Sequence, residues 1–459
     1  MNLPANPLVT VYITNYNYDQ YLEKAIRSVL DQNFQDIEIL IIDDGSTDNS
    51  MEIINRFEKL KNVFVILQKN RGLTVSNNVA LKMARGKYFM RLDADDYLDP
   101  HCLEIMVSRM EKDKGLSLIF PDYYEVDENG EIINQVRRHD FSKDVSLLDQ
   151  PAHGACSMIR TETLKEVGGY DESFDRQDGY DLWLKLIDDY KVSNVNLPLF
   201  FYRKHTSSLS SDDEQLLETR AKIIKKKVKD KQKHSVSVLA VIPTRGDKMD
   251  PRSMPLRMLG DKPLIDWTIE AAIGSKTVTH TLVTTPDQDV IDHVKNRYAG
   301  KVITILRSRE LARINSSNKE TVLESVGKYE EDNSTPDMIM TLNIETPFKT
   351  SIYIDKAIHT LQLYDDVDVV LSVIVDDETF FEHDGTGLKP RLINSLLRLE
   401  RNDLYKQSGG IRIYRKRALI EDESSTTKIG HIIVDERTAL KLKNEFTWEI
   451  ATQILNKDH

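Results

Sequence analysis

The sequence predicts an α/β protein built from two Rossmann-like, doubly wound domains. Three observations carry that expectation. Short apolar runs alternate with amphipathic segments in both halves, the βαβ rhythm of a mostly parallel sheet. The 459 residues are too many for one ordinary core. Turns rich in Asp and Gly follow Asp43 and Asp93, and a parallel sheet presents its ligand groups at the carboxyl ends of its strands.

Taken in order, Leu8–Thr14 reads as a strand, Tyr21–Gln32 as a helix and Ile37–Asp43 as a strand. Asn49–Leu60 is a helix, Val63–Leu67 a strand, Val75–Ala84 a helix and Tyr88–Asp93 a strand. From about Ser210 the texture changes. Ser211–Gln232 lacks Gly and Pro, opens on Asp212-Asp213-Glu214 and ends in lysines, a charge order that suits a helix dipole. A solvated helix joining two domains is the preferred reading of that run, over a membrane or nucleic-acid surface. A second series begins at Val236–Pro243, with strands at Thr279–Thr285, Val302–Leu306, Met338–Leu342 and Val367–Val375. Its helices are Lys262–Ala271, Ser317–Val326 and Ser351–Leu361. The expected division is a first domain over 1–212, a lysine-rich helical linker over 213–234 and a second domain over 235–459.

The net charge of −12 argues against general nucleic-acid binding, which needs a basic footprint. No apolar run approaches the roughly 20 residues that span a bilayer. Met1–Val11 has no signal-peptide pattern. Cys102 and Cys156 are the two cysteines, without CxxC spacing, so neither a disulfide framework nor a zinc site is expected. The expectation is a soluble, cytoplasmic protein.

The chemistry concentrates in Met90-Arg91-Leu92-Asp93-Ala94-Asp95-Asp96, an apolar run ending in three carboxylates. Asp oxygens suit Mg²⁺ or Mn²⁺, and carboxylates this close repel one another unless a cation is bound. Upstream stand Thr14-Asn15-Tyr16-Asn17, Asp43-Asp44-Gly45-Ser46-Thr47-Asp48, and Asn70-Arg71-Gly72 with Asn77. In that order these residues resemble the inverting family-2 glycosyltransferases of the GT-A fold, over about residues 8–210.

The resemblance implies a site. Asn15, Tyr16, Asp43 and Asp44 are expected at the nucleoside, with Tyr16 against base or ribose and one of the two acids accepting from a uracil-like ring N–H. Arg71 lies near the phosphates, and Asp93 with Asp95 holds Mn²⁺ or Mg²⁺ against the leaving diphosphate. Inversion needs a base for the acceptor hydroxyl. The family places one before an aromatic-rich helix, here Asp178 in Gln177-Asp178-Gly179-Tyr180-Asp181-Leu182-Trp183. An N-cap is the structural alternative for Asp178. Arg203 and His205 resemble the closing loop that meets the diphosphate. The implied donor is a nucleotide-diphosphate sugar, UDP favoured with dTDP and GDP open. The acceptor is a glycan, a lipid-linked glycan or a protein, in bacterial surface-glycan or glycoprotein assembly.

In the second half, Val238–Pro243 runs into Thr244-Arg245-Gly246-Asp247-Lys248, and Thr284-Thr285-Pro286-Asp287 ends the next strand. With Thr346-Pro347-Phe348-Lys349 and Gly409-Gly410-Ile411-Arg412, these resemble the acylneuraminate cytidylyltransferases. The resemblance implies nucleotide binding, CTP or a CMP-sugar, at Arg245, Gly246, Lys248 and Asp287, and a homodimer through Arg391–Lys406. The departures matter: Lys441 and Lys443 stand where the family has its metal-binding Asp pair. Lysine does not ligate Mg²⁺. A non-catalytic, nucleotide- or sugar-binding domain is therefore preferred over an active CTP:nonulosonate transferase. Lysines acting in place of metal, or a different task on the same fold, stay open, as does a purely scaffolding protein.

Overall fold

The computed structural model describes residues 6–136, 154–205, 213–231, 236–246, 250, 253–308, 310, 318–376, 380–383, 385–390, 404–420 and 428–457. The chain forms two compact units, divided between Thr219 and Arg220. That point falls inside the helix Asp213–Lys231. The helix is not solvated all round, because Leu217, Ala221, Ile224 and Val228 form a buried stripe at helical spacing.

In the first unit the strands are β1 (Val9–Asn15), β2 (Ile37–Asp43), β3 (Val63–Leu67), β4 (Tyr88–Asp93), β5 (Tyr97–Leu98), β6 (Leu116–Val126), β7 (Ile132–Val136), β8 (Met158–Arg160) and β9 (Lys191–Arg203). Their sheet runs β3-β2-β1-β4-β8-β6-β9-β5, with β7 on β6. The β3-β2-β1-β4 half is parallel. Beyond it the sheet is mixed, because β8 pairs antiparallel with both β4 and β6. β1 and β2 are buried on both faces, which explains why they are mostly apolar. Val9, Val11 and Ile13 pack toward the helix Asp19–Leu30, while Tyr12 joins the opposite core and stacks on Phe89 at 4.4 Å between ring centres. Each such fully buried side chain contributes about 1.5–3 kcal/mol. Glu38 is tolerated inside β2 because Thr10 donates to it at 2.6 Å and Arg85 pairs with it.

The second unit has β10 (Val238–Pro243), β11 (Met258–Leu259), β12 (Lys262–Pro263), β13 (His280–Thr285), β14 (Val302–Leu306), β15 (Met338–Leu342), β16 (Val369–Asp376), β17 (Phe381–His383), β18 (Leu388–Pro390), β19 (Leu404–Arg415) and β20 (Ile429–Ile433). Its main sheet runs β14-β13-β10-β15-β19-β16-β20, parallel through β15, with β19 antiparallel to both its neighbours. Both units thus place their first strand between the second and fourth and then cross an antiparallel strand. No helix among the described residues is long and apolar enough to cross a membrane.

Candidate functional site

Register gathers the acids of the first unit. The pairing of β1 with β2 sets Asn15 beside Asp43, and that of β1 with β4 sets Thr14 beside Asp93. All four residues end parallel strands at one edge.

The turn after β2 hydrogen-bonds both of its carboxylates. Asp43 accepts from Asn15 Nδ2 (2.8 Å), from the Ser46 backbone N–H (2.9 Å) and from Ser46 Oγ (2.7 Å). Asp44 accepts from Gln68 Nε2 (2.7 Å) and from the backbone N–H groups of Arg71 (2.9 Å) and Gly72 (2.8 Å). Asp44 therefore pins the 68–72 loop. Gly72 takes φ +89, open to glycine without strain. Tyr16 and Arg71 are exposed at the rim.

At β4 the buried Arg91 bridges two acids. Its Nε lies 3.0 Å from Asp93 Oδ1, and its Nη1 donates to Asp178 Oδ2. Asn77 Nδ2 donates to the same Asp178 oxygen at 3.1 Å. Asp178 is buried as the first residue of the helix Asp178–Leu186, after Gln177 at the cap position, and its carboxylate is aimed at Arg91. Burial disfavours charge on Arg91, but Asp178 and Asp93 outweigh it and keep the guanidinium charged. Burial pushes Asp93 up to about 6 against the pull of Arg91, with the charges of Asp95 and Asp178 adding. Burial, then Asp95 and Asp93, holds Asp96 well above the usual carboxylate range.

The closing strand β9 completes the edge. Arg203 is buried, and its guanidinium donates to the carbonyls of Asp95 (2.9 Å), Asp127 (2.9 Å) and Glu128 (2.8 Å). Through Nε and Nη1 it braces the acidic turn. His205 Nε2 sits 2.9 Å from Asp95 Oδ2, between Tyr18 and Tyr21.

Among the described residues, no three His, Cys, Asp or Glu side chains converge closely enough to hold an ion as they stand. The donor chemistry nevertheless fits one. Asp93, Asp95 and His205 supply hard oxygens and an imidazole, and buried Asp96 Oδ2 has no hydrogen-bond partner among the described residues. The structure thus brings together Asn15, Asp43, Asp44, Asp93, Asp95, Asp178, Arg203 and His205. The acidic segment pointed to most of them. Arg91 was given no role in the sequence, and its one signal was a charge inside a buried apolar strand.

In the second unit, Arg245 and Gly246 follow β10. Asp287 caps the helix Gln288–Arg297, accepting from Asp289 N–H at 3.1 Å. Gly246 takes φ +80 against the Asp287 side chain, where a Cβ would collide. Lys248 and 391–403, most of the expected dimer segment, lie outside the described residues.

The model of the family described as Glycosyl transferase family 2 matches residues 10–168, and that described as Cytidylyltransferase matches 240–443. The Pasteurella multocida chondroitin synthase is 32% identical over 192 residues, 41% of this chain and 20% of that protein. The Escherichia coli UDP-Glc:alpha-D-GlcNAc-diphosphoundecaprenol beta-1,3-glucosyltransferase WfaP is 32% identical over 225 residues, 48% of this chain and 86% of that one. An uncharacterized glycosyltransferase of Methanocaldococcus jannaschii is 32% identical over 206 residues, 43% of this chain and 71% of that one. The chain thus spans only 20–28% of the synthases among these relatives, and most of WfaP. Among solved structures, S. aureus TarS in complex with UDP-GlcNAc is 21% identical over 48% of this chain and 66% of that one, with a TM-score of 0.40. The Pyrobaculum calidifontis mannosyltransferase PcManGT, solved with GDP-Man and Mn²⁺, is 17% identical over 50% of this chain and 66% of that one, also at 0.40.

Proposed function

The chain belongs, through its N-terminal unit, to glycosyl transferase family 2, and on that premise we propose that this unit moves a sugar from a nucleotide-diphosphate donor to a hydroxyl acceptor with inversion. The observation that carries the reading is the Asp93–Arg91–Asp178 bridge, which sets a metal-type carboxylate and a base-type carboxylate across one buried cation.

Asp178 acts as the base. Arg91 and Asn77 both engage Oδ2, which orients the carboxylate and leaves Oδ1 for the acceptor O–H. That oxygen attacks the anomeric carbon as the bond to the diphosphate breaks, the leaving group taking the electron pair. Asp93, Asp95 and His205 would hold Mn²⁺ or Mg²⁺, which neutralises charge on the departing diphosphate. Arg71 and Tyr16, exposed at the rim, contact phosphate and base. Asp43 and Asp44 shape the nucleoside loop. UDP leads among donors because the name of WfaP specifies UDP-Glc, and dTDP and GDP are its competitors. The acceptor belongs to surface-glycan or glycoprotein assembly. The C-terminal unit binds a ligand without transferring a nucleotide.

Thermal shift of the full chain against UDP, dTDP, GDP and CDP, with and without Mn²⁺, tests this, since a ligand selective for the folded state raises Tm. A Mn²⁺-dependent shift with one diphosphate is expected, lost in Asp95→Ala. Asp178→Asn keeps the shift and loses transfer by at least about a hundredfold. Transfer at the normal rate by Asp178→Asn would remove the base assignment.

A further inference from the structure

The second unit contains a cavity of about 360 Å³ at the carboxyl edge of β10 and β15, within the size range of small-ligand sites. Five cationic side chains line it against two carboxylates, in a chain that is acidic as a whole. The family this unit matches uses a divalent cation, and the residues present do not fit one. Both lining carboxylates already face a cation: Glu345 Oε2 is 2.8 Å from Lys441 Nζ, and Asp250 Oδ2 is 3.5 Å from Arg245. Among the described residues no metal-type cluster exists here. A divalent ion would enter a pocket where positive charge already dominates.

One cation is built into the wall. Arg307 follows β14 and is only 5% exposed. Its Nη2 donates to the Thr244 carbonyl at 3.0 Å, while its buried Nε has no acceptor among the described residues. The Thr244 hydroxyl, also lining the cavity and buried, is likewise without a partner there. Burial first, then Arg245, pushes the Arg307 guanidinium down to about 10, with Glu324 opposing. A buried cation with an open donor, beside an open hydroxyl, is a site short of an anion.

We propose that this cavity binds a phosphorylated anion directly, through Arg307, Arg412 and Lys441 with the Thr244 hydroxyl, and without a divalent cation. Guanidinium groups here take the place that a metal would fill, giving directional N–H donors to phosphate oxygens. The chemistry recognised is a phosphate dianion, supplied by a nucleoside monophosphate or by inorganic phosphate. The inference rests on the reading of this unit as non-transferring.

The test is calorimetric titration of the full-length chain in an Asp95→Ala background, which silences the metal-dependent site of the first unit. CMP and inorganic phosphate are the probes, each with excess EDTA and then with excess Mg²⁺. At least one probe binds in EDTA, and Mg²⁺ changes its affinity by less than about threefold. Arg307→Gln and the exposed Lys441→Gln each weaken it by about tenfold or more, the loss expected of one charge-assisted hydrogen bond. Tighter CMP than phosphate means that the base is read, and equal affinities mean that the phosphate alone is. Binding that appears only with Mg²⁺, no binding of either probe, or Lys441→Gln behaving as the parent overturns the proposal. Pyrophosphate release from CTP with Mg²⁺ would instead remove the non-transferring reading, which keeps the two failures apart.

Discussion

Replacing Arg91 by Met keeps most of the side-chain volume and removes a cation that is 5% exposed. Asp93 and Asp178 would then share a dry pocket with no positive charge between them. Removing one partner of a buried ion pair costs about 3–5 kcal/mol, because the other charge is left uncompensated. A unit of this size loses about 2–4 °C of Tm per kcal/mol, so a fall of about 6–20 °C is expected. The pH dependence separates charge from packing. Asp93, already pushed up to about 6, moves higher without Arg91. A carboxyl whose folded pKa exceeds its unfolded one makes the native state bind more protons, so stability falls as pH rises through that window. The deficit of Arg91→Met is therefore smaller near pH 5 than near pH 8. Thermal unfolding followed by near-UV circular dichroism at both pH values reads this directly. Equal deficits at the two pH values, or a loss under about 2 °C, would refute the reasoning.

His359, in the helix Ser351–Leu363, is held down to about 4 by burial, with Asp355 opposing and Lys225 adding. Its contribution is complete above its ordinary value of about 6.5 and is lost as pH falls through about 4, up to about 3 kcal/mol. His359→Gln should flatten that acid limb in urea titrations, and an unchanged limb would contradict it. Gly86 lies against the backbone of Val9 and Thr10, where an added Cβ would collide, and its N–H donates to Thr10 Oγ1 at 2.9 Å. Gly86→Ala should cost about 1–3 kcal/mol or more, and an unshifted Tm would show that the β1 edge yields.

The parallel halves of both sheets were legible because their strands read as short, mostly apolar runs, the central ones buried on both faces. Ile37–Asp43, Val63–Leu67, Tyr88–Asp93 and Val302–Leu306 stand as the periodicity places them. The antiparallel halves were not. β6 carries Pro121 and shifts register at Pro121/Asp122, and β9 alternates Asn and Pro with apolar residues, so neither shows a clean period. The site divides the same way. The acids of β4 stand adjacent in sequence, whereas Arg91 meets Asp178 across 87 positions, a pairing that only the fold makes. Asp43 and Asp44 were legible as a turn pair, but not the loops they hold: Asp43 binds Asn15 and Ser46, and Asp44 binds Gln68 and the N–H groups of Arg71 and Gly72.

The central position of the first strand has a consequence during synthesis. β1 pairs with β2 on one side and β4 on the other, and about 85 residues separate its start from the end of β4. At about 5–20 residues per second, a ribosome takes several seconds to supply the missing neighbour. Through that interval one side of a largely apolar strand stays open to solvent and to other nascent chains. The segment that brings Asp93 to the edge is thus also the one whose arrival ends the exposure. The second unit meets the same delay a second time, waiting from Val238 until Met338–Leu342 has left the tunnel.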